Sequence, residues 1–391
     1  MIDLTIGIEL INDKTWMGGT IYLSNLAHCI YRLPPQERPR LRLLGNPDVV
    51  RVLQQAITSP SRSVMQGNPS SSLKALHKLP FKERTLNFLY RLSGRLKGDV
   101  DVLYPGFGLT IPGATIIRWI PDFQHRYLPE LFSVDELQAR DESMASVASQ
   151  KGVVILSSQV ALRDFQRFFP EANATPRVWP FHSLIQLPPQ ADADMSCLPG
   201  ELPEKFIYLP NQFWVHKNHS LVFSALHLLR QEYGLTVPLV CTGAPTDTRA
   251  KNHFDYLLNL LHQYQLQDQV RLLGLLPRDQ QLIIFRRCAA VVQPSLFEGW
   301  STVVEDTRAI GRPIFLSDLP VHREQMPDNP FFFDPHSSED FAQLIATHWD
   351  HLSPGPNAEA EAAAQATSHA MIQASARQFV SYCLEARQLS C

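Results

Sequence analysis

VVQPSLFEGWSTVVEDTRAIGRP, residues Val291 to Pro313, reads as a strand, a loop and a helix in that order. Ala289 to Gln293 is a short apolar run closed by Pro294 and Ser295, the pattern of a buried parallel strand. Glu298 and Gly299 follow. Ser301 or Thr302 can then cap a helix whose apolar positions are Val303, Val304, Ala309 and Ile310, and which stops at Gly311 ahead of Pro313. The loop sits at the carboxyl end of a strand, where open α/β sheets bind ligands. The start of the helix turns free N–H groups and a partial positive charge toward the same place, so an anion belongs there.

Outward from that stretch, strand-then-helix segments recur through both halves of the chain without any repeat of 20 to 50 residues, which predicts doubly wound parallel sheets. At 391 residues the chain exceeds one ordinary core and predicts two domains. In the first half, Ile2–Ile11, Leu41–Leu44, Val100–Tyr104, Thr115–Trp119, Val153–Leu156 and Val178–Trp179 read as strands. In the second, strands are expected at Phe206–Leu209 and Leu239–Gly243, and a helix from Thr246 or Asp247 through Leu261. An alanine- and glutamate-rich run, Ala358–Ala366, precedes a last helix at Ile372–Leu389. The segment 187–203, with repeated Pro, Ala and Asp, reads as the linker.

Composition narrows the function. An apolar content of 45% with 19% charged residues describes a globular chain, and a net charge of −3 argues against nucleic acid as a partner. No apolar run is long enough for a membrane span, and Met1-Ile2-Asp3 lacks the basic flank of a signal peptide, so a cytoplasmic location is expected. The six cysteines contain no C-x-x-C pair, indicating neither a zinc site nor a disulfide framework. Between Lys74 and Lys97 basic residues outnumber acidic ones and alternate with Leu79, Phe81, Phe88, Leu89 and Tyr90. Two readings stand for this segment: a solvated helix face, or peripheral contact with an anionic membrane surface.

Glu298 and Asp306 are eight positions apart, no more than ~12 Å along a helical path. Here the chain resembles the retaining GT-B glycosyltransferases, family 4 (glycosyl transferases group 1), whose signature is Glu, seven residues, Glu. The resemblance implies two Rossmann-like domains facing each other across a cleft, with a C-terminal helix crossing back to the first. On that pattern residues 1–186 form the acceptor-binding domain, 187–203 the linker, 204–366 the nucleotide-sugar domain and 367–391 the returning helix. Glu298 takes hydroxyls of the donor sugar, and backbone amides from Gly299 and Trp300 to Ser301 and Thr302 take the phosphates. Asp306, a methylene shorter than the family's Glu, takes the ribose, with Glu305 as the neighbouring alternative.

The same resemblance places Lys217, just ahead of a helix beginning near Asn218, on the diphosphate. The family's Arg five positions earlier is here Gln212, leaving Asn211 and the helix starts to help. Backbone groups near Leu275 and Leu276 would read the nucleobase. Gly18 and Gly19, in a glycine loop opening the first helix near Asp13 and Trp16, face the donor phosphates. In the loop after the fourth strand, IPDFQHRYLPELFS, Pro121 stands where the family's sugar-facing His would be. Asp122 and His125 are then either the catalytic partners of the donor sugar, or part of an acceptor loop.

Taken together the resemblance implies transfer of a sugar from a nucleotide-diphosphate sugar to a hydroxyl acceptor (a polysaccharide, glycolipid or small glycoside) with retention and without a metal or other cofactor. The leaving phosphate itself takes the acceptor proton on the donor's front face. Asp99-Val100-Asp101 and Asp192-Ala193-Asp194 match the Asp-x-Asp of metal-dependent transferases of another fold, but neither has companion ligands in sequence. A nucleotide-sugar epimerase, a phosphorylase and a degenerate, non-catalytic binding subunit are the alternatives, because fold does not fix function.

Overall fold

The computed structural model describes residues 2–11, 17–58, 100–185, 197–325 and 330–390. The chain separates into two compact units: Met1–Asp122 with Gln138–Leu184 and His369–Cys391, and Phe123–Leu137 with Ile185–Ser368. Two boundaries differ from sequence order. Phe123–Leu137, expected in the first domain, belongs to the second unit. Leu198, expected in the linker, is buried in the second unit's core beside Phe206 and Tyr208. The basic segment Lys74–Lys97, Asp13, Trp16, Asp99 and the Asp192/Asp194 pair all lie outside the described residues.

The first unit carries β1 (Thr5–Glu9), β2 (Arg40–Leu44), β3 (Val102–Tyr104), β4 (Thr115–Ile116), β5 (Arg118–Ile120), β6 (Gly152–Leu156) and β7 (Ala174–Val178). They form two parallel sheets, β2-β1-β3-β4 and β5-β6-β7. The run expected as one strand, Thr115–Trp119, is divided at Ile117: Ile116 pairs with Leu103, and Arg118 pairs with Val154. Partner choice is a long-range matter, so the division leaves no mark in the local apolar pattern. Asp101 accepts the Thr5 N–H at 2.7 Å and pairs with Arg387 at 3.4 Å, so this member of an Asp-x-Asp motif serves the sheet's amino edge.

The second unit holds β8 (Ile207–Leu209), β9 (Leu239–Cys241), β10 (Val270–Leu272), β11 (Ala290–Gln293), β12 (Ile314–Ser317) and β13 (Pro330–Phe333). Its order, β10-β9-β8-β11-β12-β13, is parallel at every pairing. The chain therefore builds outward from β8 in one direction and then returns to β8's other side, so the direction of winding reverses between β8 and β11. Loops leaving those two strands diverge and open a crevice at their carboxyl ends.

Alternate strand residues face opposite layers. Ile207, Leu209, Leu239, Cys241 and Val292 pack with helices His219–Glu232, His253–Gln263 and Ser338–His348. Tyr208, Val240, Val291 and Ile314 pack with helices Arg278–Arg287 and Thr302–Ile310. Covering on both faces is why these strands read as unbroken apolar runs, each large side chain contributing ~1.5–3 kcal/mol on burial. Helix His253–Gln263 begins well after the expected Thr246. The intervening residues are held in a loop, with the Asp247 carboxylate accepting the N–H groups of Val215 and Arg249.

Ala358–Ser390 is one 33-residue helix rather than the two separate runs expected. Its start belongs to the second unit, where Glu361 pairs with the buried Arg286 at 2.8 Å. From His369 it belongs to the first, where Glu385 accepts from Arg177 Nε at 2.9 Å and Ser375 O accepts from Trp179 Nε1 at 2.9 Å. Gly311 ends helix Thr302–Ile310 at φ 71°, and a Cβ there would lie 2.5 Å from Ala360 O. Only glycine fits both the left-handed turn and that approach.

Candidate functional site

The site is built where β8 and β11 end. After β8 come Asn211 and Gln212, a single 3-10 turn Val215–Lys217, and Asn218 in the left-handed region at φ 57°. That conformation suits asparagine, whose side chain here donates to Pro294 O at 3.1 Å and to Pro335 O at 2.9 Å. The Leu296 N–H donates to His216 O at 2.8 Å. Backbone and side chain thus stitch the Lys217 turn to the loop that follows β11.

Lys217 and Glu298 meet there. Lys217 Nζ donates to Glu298 Oε1 at 2.6 Å, and the two side chains are 15% and 10% exposed. Gln293 Nε2 and Ser295 Oγ donate to the same oxygen, each at 2.7 Å, and Asn211 Nδ2 donates to Gln293 Oε1 at 2.7 Å. The end of β8 is so linked through the end of β11 to the carboxylate. Among the described residues all three of these donors converge on Oε1. Burial raises the Glu298 carboxyl, but the Lys217 ammonium, His216 and the bonds from Lys217 and Ser295 outweigh it and hold the group down at about 2. His216, buried and next to that ammonium, is held down at about 3 and is therefore a neutral imidazole.

The helix start is fixed from two sides. Ser301 is the N-cap, its Oγ accepting the Val304 N–H at 3.4 Å. The Gln325 carboxamide accepts the Ser301 N–H and donates to the Ser301 carbonyl, both at 3.1 Å, and also donates to Glu305 at 3.0 Å. The Ser301 amide, expected on the phosphates, here donates to Gln325. Glu305 pairs with Arg308, whose Nη1 lies 3.1 Å from both carboxylate oxygens. Asp306 is 4% exposed and accepts from Arg278 Nη2 at 2.5 Å, a partner that sequence reading did not supply. Burial lowers the Arg278 guanidinium's pKa and the Asp306 charge more than restores it, giving a net rise.

Residues 199–350 match the family described as glycosyl transferases group 1. Over 124 residues the chain is 30% identical to a sucrose synthase of Melioribacter roseus, covering 27% of this chain and 16% of that protein. It superposes on sucrose-phosphate synthase from Thermosynechococcus elongatus with a TM-score of 0.64 at 14% identity, over 99% of this chain and 98% of that one. HepE of Anabaena in complex with UDP-glucose gives 0.60 at 15% identity, over 97% and 99%. A glycosyltransferase from Rickettsia africae gives 0.59 at 12%, over 98% of each chain. The fold is that of the GT-B glycosyltransferases.

Within this GT-B chain the structure joins some of the expected residues and separates others. Asn211, Lys217, Glu298 and the start of helix Thr302–Ile310 lie on neighbouring strand ends of one sheet, with Gly299, Trp300 and Thr302 half-buried between the carboxylate and the helix. Gly243, at φ 144°, lets the end of β9 come against this region: a Cβ would lie 2.2 Å from Asn211 O and 2.7 Å from Gln212 Cα. Leu275 is 60% exposed, while Leu276 is buried and its carbonyl accepts from Gln281 Nε2 at 2.8 Å.

Gly18 and Gly19 occupy the first turn of helix Met17–Tyr31 rather than an open loop. Asp122 closes a segment of the first unit and His125 belongs to the second. His125 is 1% exposed, edge-on to Phe132 with ring centroids 6.4 Å apart. What sequence reading missed are the supports, Gln293, Ser295, Arg278 and Gln325, and one further cation, Arg249. Polar residues inside an otherwise apolar strand end, such as Gln293 after Val291 and Val292, were the available signal.

Proposed function

We propose that this protein is a retaining glycosyltransferase that moves a sugar from a nucleotide-diphosphate sugar to a hydroxyl acceptor without a metal ion. The observation carrying this reading is the Lys217–Glu298 pair, a 2.6 Å contact at the carboxyl ends of β8 and β11 where the sheet's winding reverses. The group 1 domain supports it, as does the likeness to HepE, which was solved with UDP-glucose. In this reading Glu298 Oε2 accepts a donor-sugar hydroxyl, and Lys217 lies against the diphosphate with the open amides of helix Thr302–Ile310. The Asp306–Arg278 pair takes the ribose end.

As the glycosidic bond breaks, its electrons pass to the leaving diphosphate, and a pre-positioned ammonium and fixed peptide dipoles stabilise that charge without reorganising. The acceptor oxygen bonds to the anomeric carbon on the face the phosphate leaves, and its proton goes to the departing phosphate oxygen. Glu298, held near pKa 2, remains an anion throughout and acts as a binding group rather than as a proton carrier.

Thermal stabilisation by UDP-, GDP- and ADP-sugars tests the donor class, since a ligand at a hundred times its Kd adds ~2.7 kcal/mol. NMR of the transferred sugar then reads the anomeric configuration. No stabilisation by any nucleotide sugar overturns the reading, and an inverted product overturns retention. Donor binding without transfer or hydrolysis across an acceptor screen favours a binding subunit instead.

A further inference from the structure

Gln212 leaves this site short of the cation that the family pattern places five residues before Lys217. The loop leaving β9 at its carboxyl end carries one in its place. Arg249 lies three residues ahead of Asn252, the residue flanking helix His253–Gln263, and its side chain is 18% exposed. Its guanidinium carbon sits 5.7 Å from the centroid of Trp214 and 4.8 Å from that of Phe132, with Nη1 donating to Gln124 Oε1 at 3.3 Å. Trp214 immediately precedes the Val215–Lys217 turn, and its ring lies 5.6 Å from that of His216.

Asp247 fixes the arrangement from below. One carboxylate oxygen accepts the Val215 N–H at 3.3 Å and the other accepts the Arg249 N–H at 2.9 Å, so a single buried side chain ties the Arg249 loop to the Lys217 turn. Its ion pair with Arg249 Nε is long, 4.0 Å, and its oxygens are already engaged by backbone, so the guanidinium is only partly neutralised. Among the described residues, aromatic faces, a carboxamide and a distant carboxylate hold Arg249 without satisfying its whole fork of donors. Arg249 stands beside the same turn as Lys217 and keeps donor capacity for an oxyanion.

We propose that Arg249 is the second phosphate-binding cation of this site, contacting the diphosphate of the donor in place of the side chain absent at Gln212. The inference rests on the donor reading above and adds to it a residue that the family pattern does not supply. The planar fork suits two phosphate oxygens at once, which a lysine matches only as a point charge.

Calorimetric titration of UDP, GDP and ADP, with the corresponding monophosphates and nucleosides, into the full-length protein tests it. Arg249→Met keeps the stem against Trp214 and is expected to weaken diphosphate binding about ten- to a hundredfold while changing nucleoside binding by less than about threefold, in line with losing one charge-assisted contact. Arg249→Lys is expected to recover part of the loss, and Gln212→Arg in the Arg249→Met background to recover more. A folded Arg249→Met protein, by unchanged melting temperature, that binds the diphosphate as tightly as wild type overturns the inference alone. Equal losses for nucleoside and diphosphate, without rescue by either cation, assign Arg249 to packing and overturn it as well. A wild-type protein that binds none of the three diphosphates overturns the donor reading and this inference together.

Discussion

Replacing Lys217 by Met is expected to invert the acid response of Glu298. In the wild type the carboxyl is depressed from 4.5 to about 2, which stabilises the folded protein by ~3 kcal/mol at neutral pH. Because the folded value lies below the unfolded one, that contribution is complete above pH 4.5 and is lost as the pH falls toward 2. In Lys217→Met the burial that raises the carboxyl persists while the largest lowering cause, the ammonium, is gone, and the folded value is expected to rise above 4.5, burial outweighing what His216 and the Ser295 bond still contribute. The group then destabilises the protein at neutral pH and ceases to do so once acid protonates it.

An unpaired charge left in so enclosed a place costs ~3–5 kcal/mol, or roughly 10 °C of melting temperature for a body of this size. Melting temperatures of wild type, Lys217→Met, Glu298→Gln and the double variant, followed from about pH 7 to about pH 3, isolate the effect. The advantage of wild type over Glu298→Gln is expected to shrink with acid. The deficit of Lys217→Met relative to the double variant, large at neutral pH, is expected to close with acid. Parallel curves within both pairs would show that Glu298 does not feel Lys217, and the electrostatic account of the site would fail.

Three further outcomes are expected. Lys217→Ala lowers turnover by roughly ten- to a thousandfold, as for loss of one charge-stabilising group, and an unchanged transfer rate in the folded variant rules out its role. Asp306→Asn weakens donor binding more than the chemical step, because ribose contacts are shared by ground and transition states; steady-state kinetics showing lower kcat at unchanged KM and donor Kd contradict this. Gly243→Ala forces a Cβ toward Asn211 O at φ 144° and is expected to destabilise by ~2–4 kcal/mol, read as denaturant midpoint; a midpoint within error of wild type refutes the close packing of the β8 and β9 ends.

Much of the second unit was legible because each of its strands is covered on both sides and each helix near the site is punctuated. Val291, Val292 and the Pro294-Ser295 stop marked β11, while Ser301 and Gly311 marked both ends of the helix to within a residue. Cap and αL residues act on their own backbone, so their consequences are local and visible in sequence. The helix expected from Thr246 failed for the converse reason. Asp247 spends its carboxylate on the Val215 and Arg249 amides, and Val215 is distant in sequence.

The site divides along the same line. Strand-end position together with the family resemblance brought out Glu298, Lys217 and Asp306, because the carboxyl ends of strands converge in any doubly wound sheet. What occupies their remaining hydrogen-bonding capacity was set by contacts between residues far apart in the chain: Arg278 on Asp306, Gln325 on Ser301, Gln293 and Ser295 on Glu298 Oε1. The transfer of Phe123–Leu137 to the second unit and the burial of His125 belong to this class too. Sequence determined which groups could carry charge and which backbone would turn. Only folding decided which charges meet, since pairing depends on through-space distance and burial, and neither is written in the order of neighbouring residues.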